Sequence, residues 1–109
     1  MDFQSRVVND VTIISGTGRL NMLSGPGLRD ATATSIAAGR SRVVVDLSGV
    51  DFMDSSGLGA LIGSLKATRE AGGDLRIAAP TAQVSMVLEL SNIDRILPPH
   101  ATADGAFDE

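Results

Sequence analysis

The sequence has no cysteine, no tryptophan and no tyrosine, and a single histidine, His100. Without thiols there is no disulfide framework, no zinc finger, no iron–sulfur ligation and no thiol chemistry. One imidazole makes no cluster for a transition metal. Three phenylalanines are too few for an aromatic platform on which bases or sugars would stack. No apolar run approaches the ~20 residues of a membrane span, and the longest, around Arg42 to Leu47, has the length of a strand. The opening Met1-Asp2-Phe3-Gln4 lacks the basic and apolar regions of a signal peptide, so a cytoplasmic location is expected, with no membrane insertion. Basic residues are also short: nine Lys plus Arg against thirteen Asp plus Glu leave a net charge of −4. A nucleic-acid binder usually carries a basic face, so no direct nucleic-acid partner is expected.

What remains is ordinary globular material, 43% hydrophobic and 20% charged over 109 residues. A chain of this length buries roughly 60–70% of its unfolded surface, enough for one core without staples. Residues 1–109 read as one domain, with a core over about 3–97 and a tail over 98–109. Phe3 to Val8 and Val11 to Ile14 read as strands joined by an Asn9-Asp10 turn. Ser24-Gly25-Pro26-Gly27 opens a helix that runs to about Ala38 and stops at Gly39. Val43 to Leu47 has the near-continuous apolar character of a strand buried on both faces of a parallel sheet. A second helix spans about Ser55 to Ala71, and Leu75 to Ala79 is a further strand. Pro80-Thr81 opens a third helix, with Val84, Val87, Leu88 and Ser91 on one face. Ile93 to Leu97 reads as a short last strand and Ala101 to Phe107 as a weak terminal helix. This alternation predicts an α/β fold: a small mixed sheet of about 4–5 strands with helices mainly on one face.

The informative segment is Asp51-Phe52-Met53-Asp54-Ser55-Ser56-Gly57-Leu58-Gly59, where a loop turns into the second helix. Asp54, Ser55 and Ser56 all suit a helix N-cap. One is enough, and Ser56 is the expected cap, so polar groups are left over. In the helix, Leu58, Leu61, Ile62 and Leu65 form the stripe expected to face the sheet at about 100° per residue. A quarter turn away lie Ser55, Gly59, Gly63, Lys66 and Glu70. A glycine inside a helix costs about 1 kcal/mol relative to alanine, so two on one stripe imply close approach of another surface. That surface is either a neighbouring element or a docked partner. A hydroxyl at a helix N-terminus is also a good acceptor for phosphate, because the positive end of the helix dipole stabilises the added charge.

These residues resemble a known family. Val43-Val44-Val45-Asp46-Leu47 followed by Phe52-Met53-Asp54-Ser55-Ser56-Gly57-Leu58-Gly59 looks like the central motif of the STAS domain. More narrowly, it is similar to the anti-sigma factor antagonists of bacterial partner-switching systems. The Gly72-Gly73-Asp74-Leu75 turn and the strand ending Gly18-Arg19-Leu20 fit the same pattern. The resemblance covers about Phe3 to Leu97. It implies a partner that is an anti-sigma factor and also a serine kinase of the histidine-kinase-like ATPase type. It further implies phosphorylation of the serine after the motif Asp, here Ser55, which ends binding, and removal of the phosphate by a PP2C-type phosphatase. The expected partner-binding residues are then Asn21, Asp54, Ser55, Ser56 and Gly57 at the motif, with Gly59, Gly63 and Lys66 on the helix stripe beyond it. Asn21 stands where members of the group usually carry Asp.

Other classes fit less well. A nucleophile elbow needs Gly-x-Ser-x-Gly, and the loop lacks the first glycine, while His100 follows Pro98-Pro99 near the chain end. Gly16-Thr17-Gly18 and Gly25-Pro26-Gly27 do not make a phosphate-cradling loop, and no cofactor is expected. Asp51 and Asp54 are too surrounded by polar loop residues to act as a raised-pKa acid pair. The competing reading is a non-phosphorylated STAS adaptor, similar to small subunits of bacterial lipid-transport ATPases, which would have no use for a phosphorylatable Ser55.

Overall fold

Val11-Thr12-Ile13-Ile14 forms β2 (Val11–Ser15), and all four of these residues are buried. It folds back on β1 (Gln4–Val8) through Asn9 and Asp10, whose φ angles of 51° and 66° suit residues that tolerate the left-handed region. The structure is a computed structural model describing residues 1–107. The apolar run at Val43 becomes β4 (Arg42–Asp46), parallel to β2, with β6 (Asp74–Ala78) parallel beyond it. A two-residue β7 (Pro99–His100) closes the order β1-β2-β4-β6-β7. Only β1 is antiparallel to its neighbour, so the sheet is mixed.

Three helices, α1 (Gly25–Ala37), α2 (Ser55–Glu70) and α3 (Ala82–Leu90), join one core. Leu28, Leu61, Leu65, Val84 and Leu88 meet Ile14, Val43, Val45, Leu75 and Ile77 on the same sheet face. The opposite face carries Val11, Ile13, Val44 and Ala78 and is covered by Ala106, with Ala103 and Phe107 beside it. Arg42 and Arg76 lay their guanidinium groups 4.8 and 4.3 Å from the Phe107 ring centre. Arg6 binds Asp104 at 2.9 Å. The fold class expected from the sequence is the one observed.

Several local expectations are overturned. The segment read as a loop before α2 contains β5 (Val50–Met53), which pairs in parallel with β3 (Gly18–Leu20) in a separate two-stranded sheet. Four residues with an aspartate among them give too weak a local signal. Their partner is some thirty positions away, so only the tertiary pairing defines the strand. Ile93–Arg95 is a 3-10 turn entered through Asn92 at φ 61°, not a strand. The final strand comes at Pro99–His100, where a proline at the sheet edge loses no ladder bond. Residues 101–107 form turns rather than a helix: Thr102 Oγ1 accepts from Gly105 N–H at 3.1 Å and diverts the backbone locally. The buried stripe of α2 is also rotated from the expected one. Gly57, Ala60, Leu61, Ser64, Leu65 and Thr68 are buried, while Leu58 and Ile62 are only half-buried. Helix α1 packs against α2 on the small-residue side, where an added Cβ on Gly25 would sit 3.2 Å from Ala60 Cβ.

Candidate functional site

The site begins at the end of β5. Gln83 on α3 accepts from Met53 N–H through Oε1 at 2.8 Å and donates from Nε2 to Met53 O at 3.0 Å. One side-chain amide thus takes the place of a neighbouring strand and fixes the last residue before the motif. Asp54 follows in extended conformation, and its Oδ1 accepts from Gly57 N–H at 2.9 Å. Asp54, not Ser56, is therefore the cap. It holds the N-cap position with non-helical dihedrals, whereas Ser56 is already inside the first turn. Ser55 and Ser56 are exposed, and neither hydroxyl has a hydrogen-bond partner among the described residues.

Gly57 is buried, and its position is dictated by contact. A Cβ there would run into the Leu20 carbonyl oxygen and come within 2.8 Å of its carbon. This approach brings the end of β3 against the first turn of α2 and sets Asn21 beside Ser56. Asn21 organises the start of α1: its Oδ1 accepts from Leu23 N–H at 3.0 Å and Ser24 N–H at 3.2 Å. Ser24 Oγ accepts from Asn21 N–H at 2.9 Å and donates to Arg19 O at 2.6 Å. An asparagine oxygen satisfies these backbone donors as an aspartate oxygen would, so the local turn does not need the carboxylate.

Between α1 and α2 runs a groove of about 420 Å³ lined by Asn21, Met22, Pro26, Arg29, Ser56 and Gly59, among others. An added Cβ on Gly59 would meet nothing within 4 Å, so that stretch of helix is bare. Gly63, one turn on, lies under Arg29, whose guanidinium atoms would stand 3.3–3.5 Å from an added Cβ. Arg29 Nη2 reaches Gly59 O at 3.3 Å. Lys66 is exposed further along α2. Met22 and Leu23, 73% and 86% exposed, add an apolar knob at the groove's head that the sequence reading missed. Its signal is an apolar pair set between the turn formers Asn21 and Ser24. His100 lines a different concavity with Arg69. Arg69 is fourteen residues from Ser55 along α2, about 21 Å, so serine and histidine form no catalytic pair. Among the described residues no group of three His, Asp or Glu side chains is placed to hold a metal.

This arrangement, with a capped loop displaying two free hydroxyls on a sheet-backed helix, coincides with a family profile, the STAS domain, which matches residues 2–106. The chain belongs to the STAS-domain family. This STAS domain is 29% identical over 108 residues to a Thermotoga maritima protein assigned as an anti-sigma factor antagonist, covering 98% of the chain and 96% of that protein. A crystal structure of a Thermotoga maritima protein of the same assignment superposes with a TM-score of 0.88 at 28% identity, covering 97% and 92% of the two chains. The anti-sigma factor antagonist SpoIIAA, solved in its unphosphorylated form, gives a TM-score of 0.81 at 25% identity, covering 97% and 93%.

Proposed function

We propose that this STAS domain is an anti-sigma factor antagonist whose binding is switched by phosphorylation of Ser55. The observation that carries the reading is an exposed Ser55 at the first position of α2, its hydroxyl unengaged, beside an aspartate that caps the helix. The similarity to anti-sigma factor antagonists over nearly the whole chain supports it. In its unphosphorylated form the protein binds an anti-sigma factor that is also a serine kinase of the histidine-kinase-like ATPase type. The binding surface runs from Asn21 and the exposed Met22–Leu23 pair across Ser55 and Ser56 to Gly59, Gly63 and Lys66. Asp54 and Gly57 shape it from beneath.

Phosphate on Ser55 breaks no hydrogen bond, because that hydroxyl makes none among the described residues. The helix terminus stabilises the added charge, and the fold is unchanged. A closely fitted partner, however, then meets a dianion beside Asp54 and loses ~2–5 kcal/mol of binding, roughly 30-fold or more in affinity. A PP2C-type phosphatase restores the first state.

The test is to capture the partner on the unphosphorylated protein, incubate the two with ATP, and map the phosphopeptide. Phosphate is expected on Ser55, and a Ser55→Ala protein is expected to stay bound. Phosphate solely on Ser56 or elsewhere rejects the assignment. Binding that is indifferent to ATP and to Ser55 would favour a constitutive adaptor instead.

A further inference from the structure

The chain is acidic, yet three of its nine Lys and Arg residues, Arg69, Arg76 and Arg95, converge with His100 on one concavity of about 370 Å³. The notch forms where β7 pairs with only the last two residues of β6, Ile77 and Ala78. Among the described residues Asp74 is the one carboxylate that lines it, and both its oxygens face guanidinium groups. Asp74 Oδ1 accepts from Leu75 N–H at 2.9 Å and from Arg69 Nε at 3.2 Å, and Oδ2 lies 3.8 Å from Arg76 Nε. Arg69 is therefore held by its Nε edge, which leaves both terminal amino groups without a partner among the described residues. The Arg95 side chain makes no hydrogen bond or ion pair among them either. Arg76 is engaged with the Phe107 ring and with Ala106 O, at 2.9 Å.

We propose that this notch binds a small organic phosphate, with the phosphate seated between Arg69 and Arg95. Guanidinium forks match phosphate oxygens in pairs, and one of the two is already oriented by Asp74. Arg69 and Arg95 against the Asp74 carboxylate leave a positive surplus that suits a phosphate. The recess concentrates that positive field on a molecule otherwise negative. The volume lies within the range of small-molecule sites. Ile96, half-exposed, and Pro98 give the rim an apolar patch for the organic part, and half-buried His100 supplies a ring nitrogen. The notch sits at the opposite end of α2 from Ser55, about 20 Å along the helix, so the ligand and a partner at the phosphorylation loop would not compete for space.

The test is a titration of the full chain, followed by amide and arginine side-chain NMR, with phenyl phosphate, inorganic phosphate, and phosphatidylcholine vesicles containing phosphatidic acid. Saturable binding of phenyl phosphate at or below about 1 mM is expected, weakening as salt rises. The shifts should centre on Arg69, Arg95, Ile96 and His100. Inorganic phosphate should bind less tightly, and vesicles should not retain the protein. Arg69→Ala and Arg95→Ala should each weaken binding about tenfold without lowering the melting temperature, while Lys66→Ala should change nothing. No saturable binding, shifts centred on the groove at Arg29 and Ser56, insensitivity to both arginine variants, or binding to vesicles alone would each overturn the proposal.

Discussion

Asp54 and Gly57 are three residues apart, and each is fixed by one contact. Asp54 closes the first turn of α2 through the Gly57 N–H. Replacing it by Ala removes the cap and is expected to destabilise the protein by about 1 kcal/mol, read by urea denaturation. Gly57 needs its missing side chain, since any Cβ would collide with the Leu20 carbonyl. Gly57→Ala should therefore cost about 3 kcal/mol or more, because backbone on both sides must shift. Gly59 has the opposite character despite lying two residues further on. Nothing lies within 4 Å of an added Cβ, so Gly59→Gln should raise helix propensity and stabilise by about 0.5 kcal/mol, roughly 2–4 °C in Tm. The same variant should bind the proposed kinase poorly. A Gly59→Gln protein that melts lower yet binds normally contradicts the partner-facing role.

At the level of elements, the loop that leads into α2 is held from two sides. On one side β3 pairs with β5 and Leu20 abuts Gly57. On the other, α3 reaches across with Gln83 to both polar backbone groups of Met53, and Thr81 Oγ1 donates to Val50 O at 2.8 Å. Helix α3 therefore does more than fill the core with Val84 and Leu88; it also stands in for a strand at the open edge of β5. Gln83→Ala leaves the Met53 N–H and C=O unpaired in a buried setting and should cost about 1–3 kcal/mol. Faster hydrogen exchange at Met53 and the following turn, measured against unchanged exchange in β2 and β4, would locate the effect. Uniform loss of protection across the sheet would instead mean that Gln83 supports the whole core.

At the scale of the molecule, the two faces of the sheet are covered by different means. Three helices cover one, each contributing large aliphatic side chains. The other depends on a short irregular segment that inserts Ala106 against Val11, Ile13, Val44 and Ala78. It is fastened by Arg6–Asp104 and by the arginine–Phe107 stack. Exposed ion pairs contribute little, so the buried contact carries most of this attachment. Ala106→Asp would place a charge at a fully buried position and should destabilise by about 2 kcal/mol. Detachment of the segment would show as binding of a hydrophobic dye at denaturant concentrations where the helical signal remains. A variant that neither loses stability nor binds dye would show that the segment is dispensable.

Elements whose signal is local and repeated were legible in the chain. The β-branched runs at Val11 and Val43 marked strands that are buried on both faces. The Gly25-Pro26 and Gly72-Gly73 pairs bounded helices, and Asp54-Ser55-Ser56-Gly57 marked the turn that heads α2. Each of these rests on what a residue does to its own few neighbours, so no partner segment had to be known. The rest came from packing between segments distant in the chain. Strand β5 exists because β3 and Gln83 satisfy its backbone. Pro99–His100 became the last strand because the edge of β6 was the place left open to it. The α2 stripe turned toward Gly57, Ala60 and Ser64 because α1 needed small residues to approach. Which of three capping residues caps, and which of three glycines is crowded, depended on the Leu20 carbonyl and the Arg29 side chain, groups some thirty positions away in sequence. A residue's chemistry is written in the chain, but its neighbours across the core are set by how all the elements pack at once.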